Sequence, residues 1–314
     1  MPPPAMRRVV AALEARDDLD LRIEAVRSVG GGDINEAAAV TTSAGKKLFL
    51  KWNDSAPDGL FEAEADGLSA LGATIGRAAT GDHIMVPAVV ALGRVEGTAW
   101  LLMDFIGADS SGRGSHAEST WDESLGRGLA AIHRAPPGLG RGFGWHRDNF
   151  IGRLPQVNRI TDDWTEFWRD RRIAPQVRRA AGSGLLDSPA VDILDRLIDR
   201  MPAALEGAAH EGPSLLHGDL WGGNAMAAGD GRAAIYDPAV HVGHREVDLA
   251  MSELFGFPGR FLPAYRESFP VDELYDIRRR DLYQLYYLLV HVNLFGRSYV
   301  GSSVAAARRV LATL

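Results

Sequence analysis

The sequence predicts an α+β protein of two lobes: a small N-terminal lobe built on an antiparallel sheet and a larger, mostly helical C-terminal lobe. Three observations predict it. Between Ile23 and Phe105, short apolar runs alternate in period two, separated by tight turns and interrupted by one helical stretch. A Gly/Ser-rich segment, Gly107 to Gly114, follows and reads as a linker. From Trp121 onward the apolar spacing becomes helical. At 314 residues the chain is long for a single core, so the lobes are drawn as 1–106 and 107–314.

The elements follow in order. Val9 to Ala15 is a short amphipathic helix. Strands are expected at Ile23–Val29, Ala37–Thr42 and Lys47–Trp52, joined through Gly30-Gly31-Gly32 and Ser43–Lys46, which gives a meander. Leu60 to Leu71 places Phe61, Ala65, Leu68 and Leu71 on one helix face. Val86–Leu92 and Ala99–Phe105 are two further strands around a turn at Arg94–Gly97. In the second lobe, helices are expected at Ser124–His133, Asp163–Arg172, Ala190–Arg200 and Leu282–Phe295, the last with Leu282, Leu285, Tyr286, Leu289 and Val290 as a core stripe. One short strand pair, Leu215-Leu216 with Ala234–Tyr236, fits between the helices.

Composition removes several classes of function. Hydrophobic residues make up 46% and charged residues 24%, an ordinary globular balance. Net charge is −7, and the best basic run, Arg169 to Arg179, is broken by Asp170 and Pro175, so nucleic acid is not an expected partner. The absence of cysteine excludes disulfides, thiolate nucleophiles and Cys-based zinc sites, and no His/acidic cluster has zinc spacing. The proline-rich, then basic start lacks the apolar run of a secretory signal, and no stretch of about 18 apolar residues reads as a membrane span. A cytoplasmic protein is the expectation.

The chemistry concentrates in Leu216-His217-Gly218-Asp219-Leu220-Trp221-Gly222-Gly223-Asn224, followed by Ile235-Tyr236-Asp237-Pro238. Phosphoryl transfer needs a carboxylate beside the attacking hydroxyl, a role that suits Asp219. It also needs a cation among the phosphates, and Asn224 with Asp237 offers hard oxygen ligands for Mg²⁺. Lys51, at the end of an apolar strand, can reach the phosphates of ATP if a helix carboxylate holds it. Glu64 suits this better than Glu62, which lies on another helix face. Gly31 and Gly32 let backbone N–H groups approach phosphate. Met103, Asp104 and Ile106, just before the linker, are placed to bond the adenine edge. His217 and Asp248 read as structural support, Asp248 opening a helix and accepting N–H groups of the catalytic loop.

At these residues the chain resembles the aminoglycoside phosphotransferase and choline kinase branch of the protein-kinase-like fold, and within it the fructosamine kinase (ketosamine 3-kinase) family. Further blocks carry the resemblance: Gly144-Trp145-His146-Arg147-Asp148-Asn149-Phe150-Ile151-Gly152, Pro155-Gln156-Val157-Asn158, Asp163-Trp164-Thr165-Glu166-Phe167-Trp168, and Gly243 to Met251. It spans about Gly30 to Phe269. Gly222 stands where many relatives have Ser, and the cysteine some relatives carry in the glycine loop is missing. The resemblance implies transfer of the ATP γ-phosphate to the 3-hydroxyl of a ketosamine, whose phosphorylated form then decomposes and frees the amine. It implies Asp219 as base, Asn224 and Asp237 as metal ligands, and Lys51 with Glu64 as the nucleotide pair. Asp148, Asn149, Gln156 and Trp221 are its candidate substrate contacts. The partner implied is a small ketosamine or a glycated protein lysine.

Two other readings stay open. One is a kinase of the same fold acting on an aminoglycoside or amino alcohol, which would call for several acidic groups in the helical lobe. The other is a non-catalytic ATP-binding protein, which would call for loss of Asp219, Asn224, Asp237 or Lys51. A protein kinase lacks support, because no A-P-E segment follows Asp237.

Overall fold

A computed structural model describes residues 3–30, 35–78, 84–107, 114–138 and 142–314, with backbone alone at 114–120 and 209. The first lobe is a five-stranded antiparallel sheet in the order β1-β2-β3-β5-β4, with β1 at Ile23–Val29, β2 at Glu36–Thr42, β3 at Lys47–Asn53, β4 at Val89–Val95 and β5 at Thr98–Asp104. Strand alternation sorts its two faces. Leu48, Leu50 and Trp52 of β3 join Trp100 and Leu102 of β5 beneath helix α1, Pro4–Glu14, which packs on them through Met6, Val9 and Leu13. The other face sends Leu101 and Met103 toward helix α2, Leu60–Arg77, which meets them with Phe61, Ala65 and Leu68. Lys51 lies on this second face, among apolar residues, which is why it is buried rather than solvated. Helix α1 starts five residues before the expected Val9, because Pro4, with φ preset and no N–H to satisfy, opens its first turn.

The second lobe begins with α3 (Gly114–Arg134) and a small hairpin, β6 (Asn149–Ile151) with β7 (Leu154–Gln156). Helices α4 (Trp164–Trp168) and α5 (Ala174–Gly182) form one rod through a π-helical turn at Arg169–Ile173. Pro175 explains that turn: it cannot donate to the Arg171 carbonyl, and the Arg172 guanidinium does so instead at 3.1 Å. Helices α6 (Ser188–Asp199) and α7 (Met201–Ala204) follow. The single strand pair expected here is two pairs. β8 (Ser214–Leu216) pairs with β11 (His241–Gly243), and β9 (Ala225–Ala227) with β10 (Ala233–Ile235). Two strands bracketing the His217–Asn224 turn each need a partner: β9 folds back on β10 in a hairpin, and β8 pairs with β11 beyond it. Helices α8 (Glu246–Leu254), α9 (Phe261–Ser268), α10 (Arg280–Phe295) and α11 (Val300–Leu311) complete the lobe. No helix among the described residues is long and apolar enough to cross a membrane.

Helix α10 is apolar nearly all round and runs through the core against α5, α8 and α11. Glu211, His244 and Glu246 also converge, within 4.8 Å of one another, which spacing along the chain did not foretell. Arg245 bonds both oxygens of Glu211 at 2.8 and 2.9 Å, and Arg279 bonds both of Glu246 at 2.7 and 2.8 Å, so arginine is the counter-ion there.

Candidate active site

A cavity of about 1090 Å³ lies between the sheet and the helical lobe, open at one side. Phe49, Lys51, Met103, Asp104, Phe105 and Ile106 line its sheet end. Asp219, Asn224 and Asp237 lie on its floor.

Lys51 Nζ is 2.8 Å from Glu64 Oε1 and 2.8 Å from Asp237 Oδ1. Burial alone would lower the lysine's pKa, but the charges of Asp237 and Glu64 outweigh it and raise the value above 10.5, so Lys51 stays protonated. Glu62, the rejected partner, is exposed, and its carbonyl accepts from Arg147. Helix α2 is held against the helical lobe by a second acid, Asp66. Its carboxylate accepts from Trp145 Nε1 at 2.6 Å and lies 3.1 Å from His146 Nε2. Gly67 permits the approach, since a Cβ there would sit 3.0 Å from Val240 and 3.2 Å from Pro238. The Gly144–Gly152 block is thus a clamp on the helix that carries Glu64.

The His217–Asn224 turn is fixed from beneath by Asp248, whose carboxylate oxygens accept the backbone N–H groups of His217 (2.7 Å) and Gly218 (2.8 Å). Asp248 is itself bonded by His133 Nε2 at 3.2 Å. Burial keeps the His217 ring neutral. Its Nε2–H donates to the Tyr236 carbonyl at 3.0 Å, and Nδ1 accepts from Asp219 N at 3.2 Å. One imidazole therefore ties the Asp219 turn to the residue before Asp237. Gly218 has φ +82, and a Cβ there would lie 2.1 Å from the Ala239 carbonyl, so only glycine fits. The Gly218 carbonyl accepts from Tyr287 of α10 at 2.7 Å.

Asn224 Nδ2 donates to the Asp219 carbonyl (2.8 Å) and carboxylate (3.1 Å). Burial, and next the charge of Asp237, push the Asp219 carboxyl up to about 7 from an ordinary 3.8, with Asn224's donation opposing them. Asp237 has φ +57, a left-handed conformation uncommon for a non-glycine and held here by the surrounding contacts.

Of the candidate substrate contacts, Trp221 lines the cavity. Asn149 lines it too, but its amide is engaged inward, donating to the Val240 carbonyl at 2.7 Å and accepting from Gln156 and Asn158, both at 2.8 Å. Gln156 and Asp148 lie off the cavity. Gln156 is buried, donates to Asn149 and the Ala239 carbonyl, and accepts from Tyr286. Asp148 accepts from Asn158 N at 2.8 Å. Asn149 and Gln156 belong to a network that also reaches the carbonyls of Val240 and Ala239, far along the chain, a use that local spacing does not show. Gly31 and Gly32 fall outside the described residues; Gly30 lines the cavity.

Sequence reasoning passed over Tyr287, His291, Phe295 and Tyr299, which bring the end of α10 and the short turn after it into the cavity wall. Tyr287, His291 and Phe295 recur at i, i+4 and i+8 along α10, which puts them on one side of the helix, and Tyr299 follows in the turn after it.

The sequence profile of the fructosamine kinase family matches residues 5–313. The chain belongs to that family. A chloroplastic protein-ribulosamine 3-kinase of rice (Oryza sativa subsp. indica) is 39% identical over 285 residues, covering 90% of this chain and 78% of its own. The crystal structure of a Thermobifida fusca protein assigned as a fructosamine-3-kinase superposes with a TM-score of 0.81 at 36% identity, covering 97% of this chain and 98% of that one. An aminoglycoside phosphotransferase crystallised with ADP and hygromycin B superposes at 0.61 with 15% identity, covering 96% and 97%, which shows the shared protein-kinase-like fold.

Proposed function

We propose that this chain is an ATP-dependent ketosamine 3-kinase, transferring the γ-phosphoryl group of ATP to the 3-hydroxyl of a fructosamine- or ribulosamine-type adduct. The observation that carries the reading is the convergence of Asp219, Asn224, Asp237 and the Lys51–Glu64 pair on one cavity, in a chain of the fructosamine kinase family. Residues 1–106 form the nucleotide-handling lobe in this reading, and 107–314 the lobe that carries the catalytic turn and the acceptor.

ATP enters against the sheet, with the backbone of Met103 to Ile106 beside the adenine and Lys51 beside the α- and β-phosphates. Asn224 and Asp237 offer the oxygen donors that a hard divalent cation prefers, and they would hold Mg²⁺. When bound, Mg²⁺ neutralises charge between the β- and γ-phosphates. Asp219 orients the 3-hydroxyl and accepts its proton as the O–P bond forms and ADP leaves. The acceptor rests on Trp221, two residues beyond Asp219. The aminoglycoside reading finds little support, because among the described residues the acids lining the cavity are Glu64 and Asp104 of the sheet lobe and only Asp219 and Asp237 of the helical lobe.

The test is ATP consumption with ribulose-lysine, fructose-lysine, an aminoglycoside and choline offered separately. Turnover on a ketosamine, absent with Asp219→Asn, is the expected result. Faster turnover on the aminoglycoside or choline would refute the reading.

A further inference from the structure

The acceptor end of the cavity is walled by a continuous series of rings that starts beside Asp219 and ends in solvent. Trp221 meets Phe255 edge-on with centroids 6.3 Å apart, and Phe255 lies 4.5 Å from His291. His291 in turn lies 4.9 Å from Tyr299 and 5.3 Å from Phe295. The His291 ring is fixed by Nδ1–H donating to the Tyr287 carbonyl at 2.8 Å. Phe295, the last residue of α10, is 51% exposed. Among the described residues it is one of four large hydrophobics so exposed, and the one of the four that lines the cavity. A single exposed ring is ordinary on a protein surface. A ring left exposed at the end of a ladder leading out of a catalytic cavity has a geometric use.

We infer that Phe295 and Tyr299 are the subsite for the amine-side substituent of the acceptor, and that they select ketosamines of apolar alkyl or aryl amines, the butyl stem of a lysine side chain included. The inference rests on the ketosamine reading above. In such a substrate the nitrogen hangs on C1, two carbons from the C3 hydroxyl. With that hydroxyl at Asp219 and the sugar on Trp221, the nitrogen falls among the rings, where a secondary ammonium is favoured by ring faces. Its carbon substituent then continues outward over His291 toward Phe295 and Tyr299. No carboxylate lines this stretch among the described residues, so a cationic substituent finds no counter-ion, whereas methylene groups lose water against the rings.

The experiment measures binding calorimetrically for N-methyl, N-butyl and N-hexyl deoxyfructosylamines, with a non-hydrolysable ATP analogue and Mg²⁺ present. It is repeated with an N-(2-aminoethyl) compound. Partial burial of each added methylene predicts about a twofold tightening per CH₂ from N-methyl to N-butyl, and weaker binding of the aminoethyl compound. In Phe295→Ser and in Tyr299→Ser the N-methyl to N-hexyl affinity ratio, taken within each variant, falls toward one. A wild-type ratio within twofold of one, a ratio unchanged in both variants, tightest binding of the aminoethyl compound, or no binding by any member overturns the inference. Phosphate transfer is scored on the same compounds. The chain-length preference without transfer to any of them would refute the kinase reading and leave the subsite standing.

Discussion

Asp219→Asn is predicted to abolish turnover and, at the same time, to stabilise the folded protein at neutral and alkaline pH. The wild-type carboxyl is pushed from 3.8 to about 7 by burial and by the neighbouring charge of Asp237. Because its pKa is raised in the folded state, the native protein binds this proton more tightly than the unfolded chain does, and the group's contribution to stability falls as pH rises from about 4 to about 7. Below that window both states are protonated and the cost vanishes; above it the cost is complete. At about 1.36 kcal/mol for each pKa unit the ceiling is about 4 kcal/mol. The carboxyl borders the cavity, and solvent screening there brings the expected gain to about 2 kcal/mol. For a chain of this length this corresponds to roughly 3 °C in Tm. Asparagine keeps an oxygen that can accept from Asn224, so that donor stays paired, and its own new amide N–H groups can turn to the cavity. The assay is thermal denaturation of wild type and Asp219→Asn, without nucleotide, from pH 4.5 to pH 8.5. The variant should melt higher at pH 8, with the difference shrinking as pH falls. A difference that stays constant with pH, or a variant that melts lower at pH 8, would show that the buried charge of Asp219 is not the source of the cost.

Other consequences arise from single contacts. Tyr287→Phe removes the hydroxyl that holds the Gly218 carbonyl. It should cost about 1–2 kcal/mol in chemical denaturation, and should lower kcat by about tenfold or more through a misplaced Asp219, with KM for ATP unchanged. Lys51→Met leaves Glu64 and Asp237 without their shared counter-ion; it should raise KM for ATP by more than tenfold and destabilise by about 2–3 kcal/mol, discounted because Asp237 is partly exposed. Asp66→Ala frees α2 from Trp145 and should lower kcat and raise KM for ATP together, whereas Asp66→Asn, which can still accept from the indole, should recover most of the loss.

How much of this was legible in the sequence depends on the range of the forces involved. Most of the sheet was readable, because period-two alternation and turn glycines are local signals: β1 runs over the expected Ile23–Val29, whereas β4 runs Val89–Val95, three residues beyond the expected Val86–Leu92. The Asp219, Asn224 and Asp237 set was readable because its spacing along one turn and one hairpin is set by backbone geometry. Glu64 could be preferred to Glu62 because two residues on a helix point to different faces. What escaped was tertiary. The partner of β8 is β11, with the β9–β10 hairpin lying between them in the chain, and nothing local specifies that pairing. Asn149 and Gln156 also bond to the carbonyls of Val240 and Ala239, 91 and 83 residues away, contacts that local spacing does not show. The rings of α10 hid inside a helix whose apolar pattern announces only burial.

Phosphorylation of a ketosamine at its 3-hydroxyl is tested most directly by phosphorus NMR of the product formed from ATP and ribulose-lysine or fructose-lysine. The expected spectrum shows a phosphomonoester resonance coupled to the proton on sugar C3, absent when Asp219→Asn replaces the wild type. Phosphate on another hydroxyl, or a product that still forms with Asp219→Asn, would contradict the assignment of Asp219 as the base of a ketosamine 3-kinase.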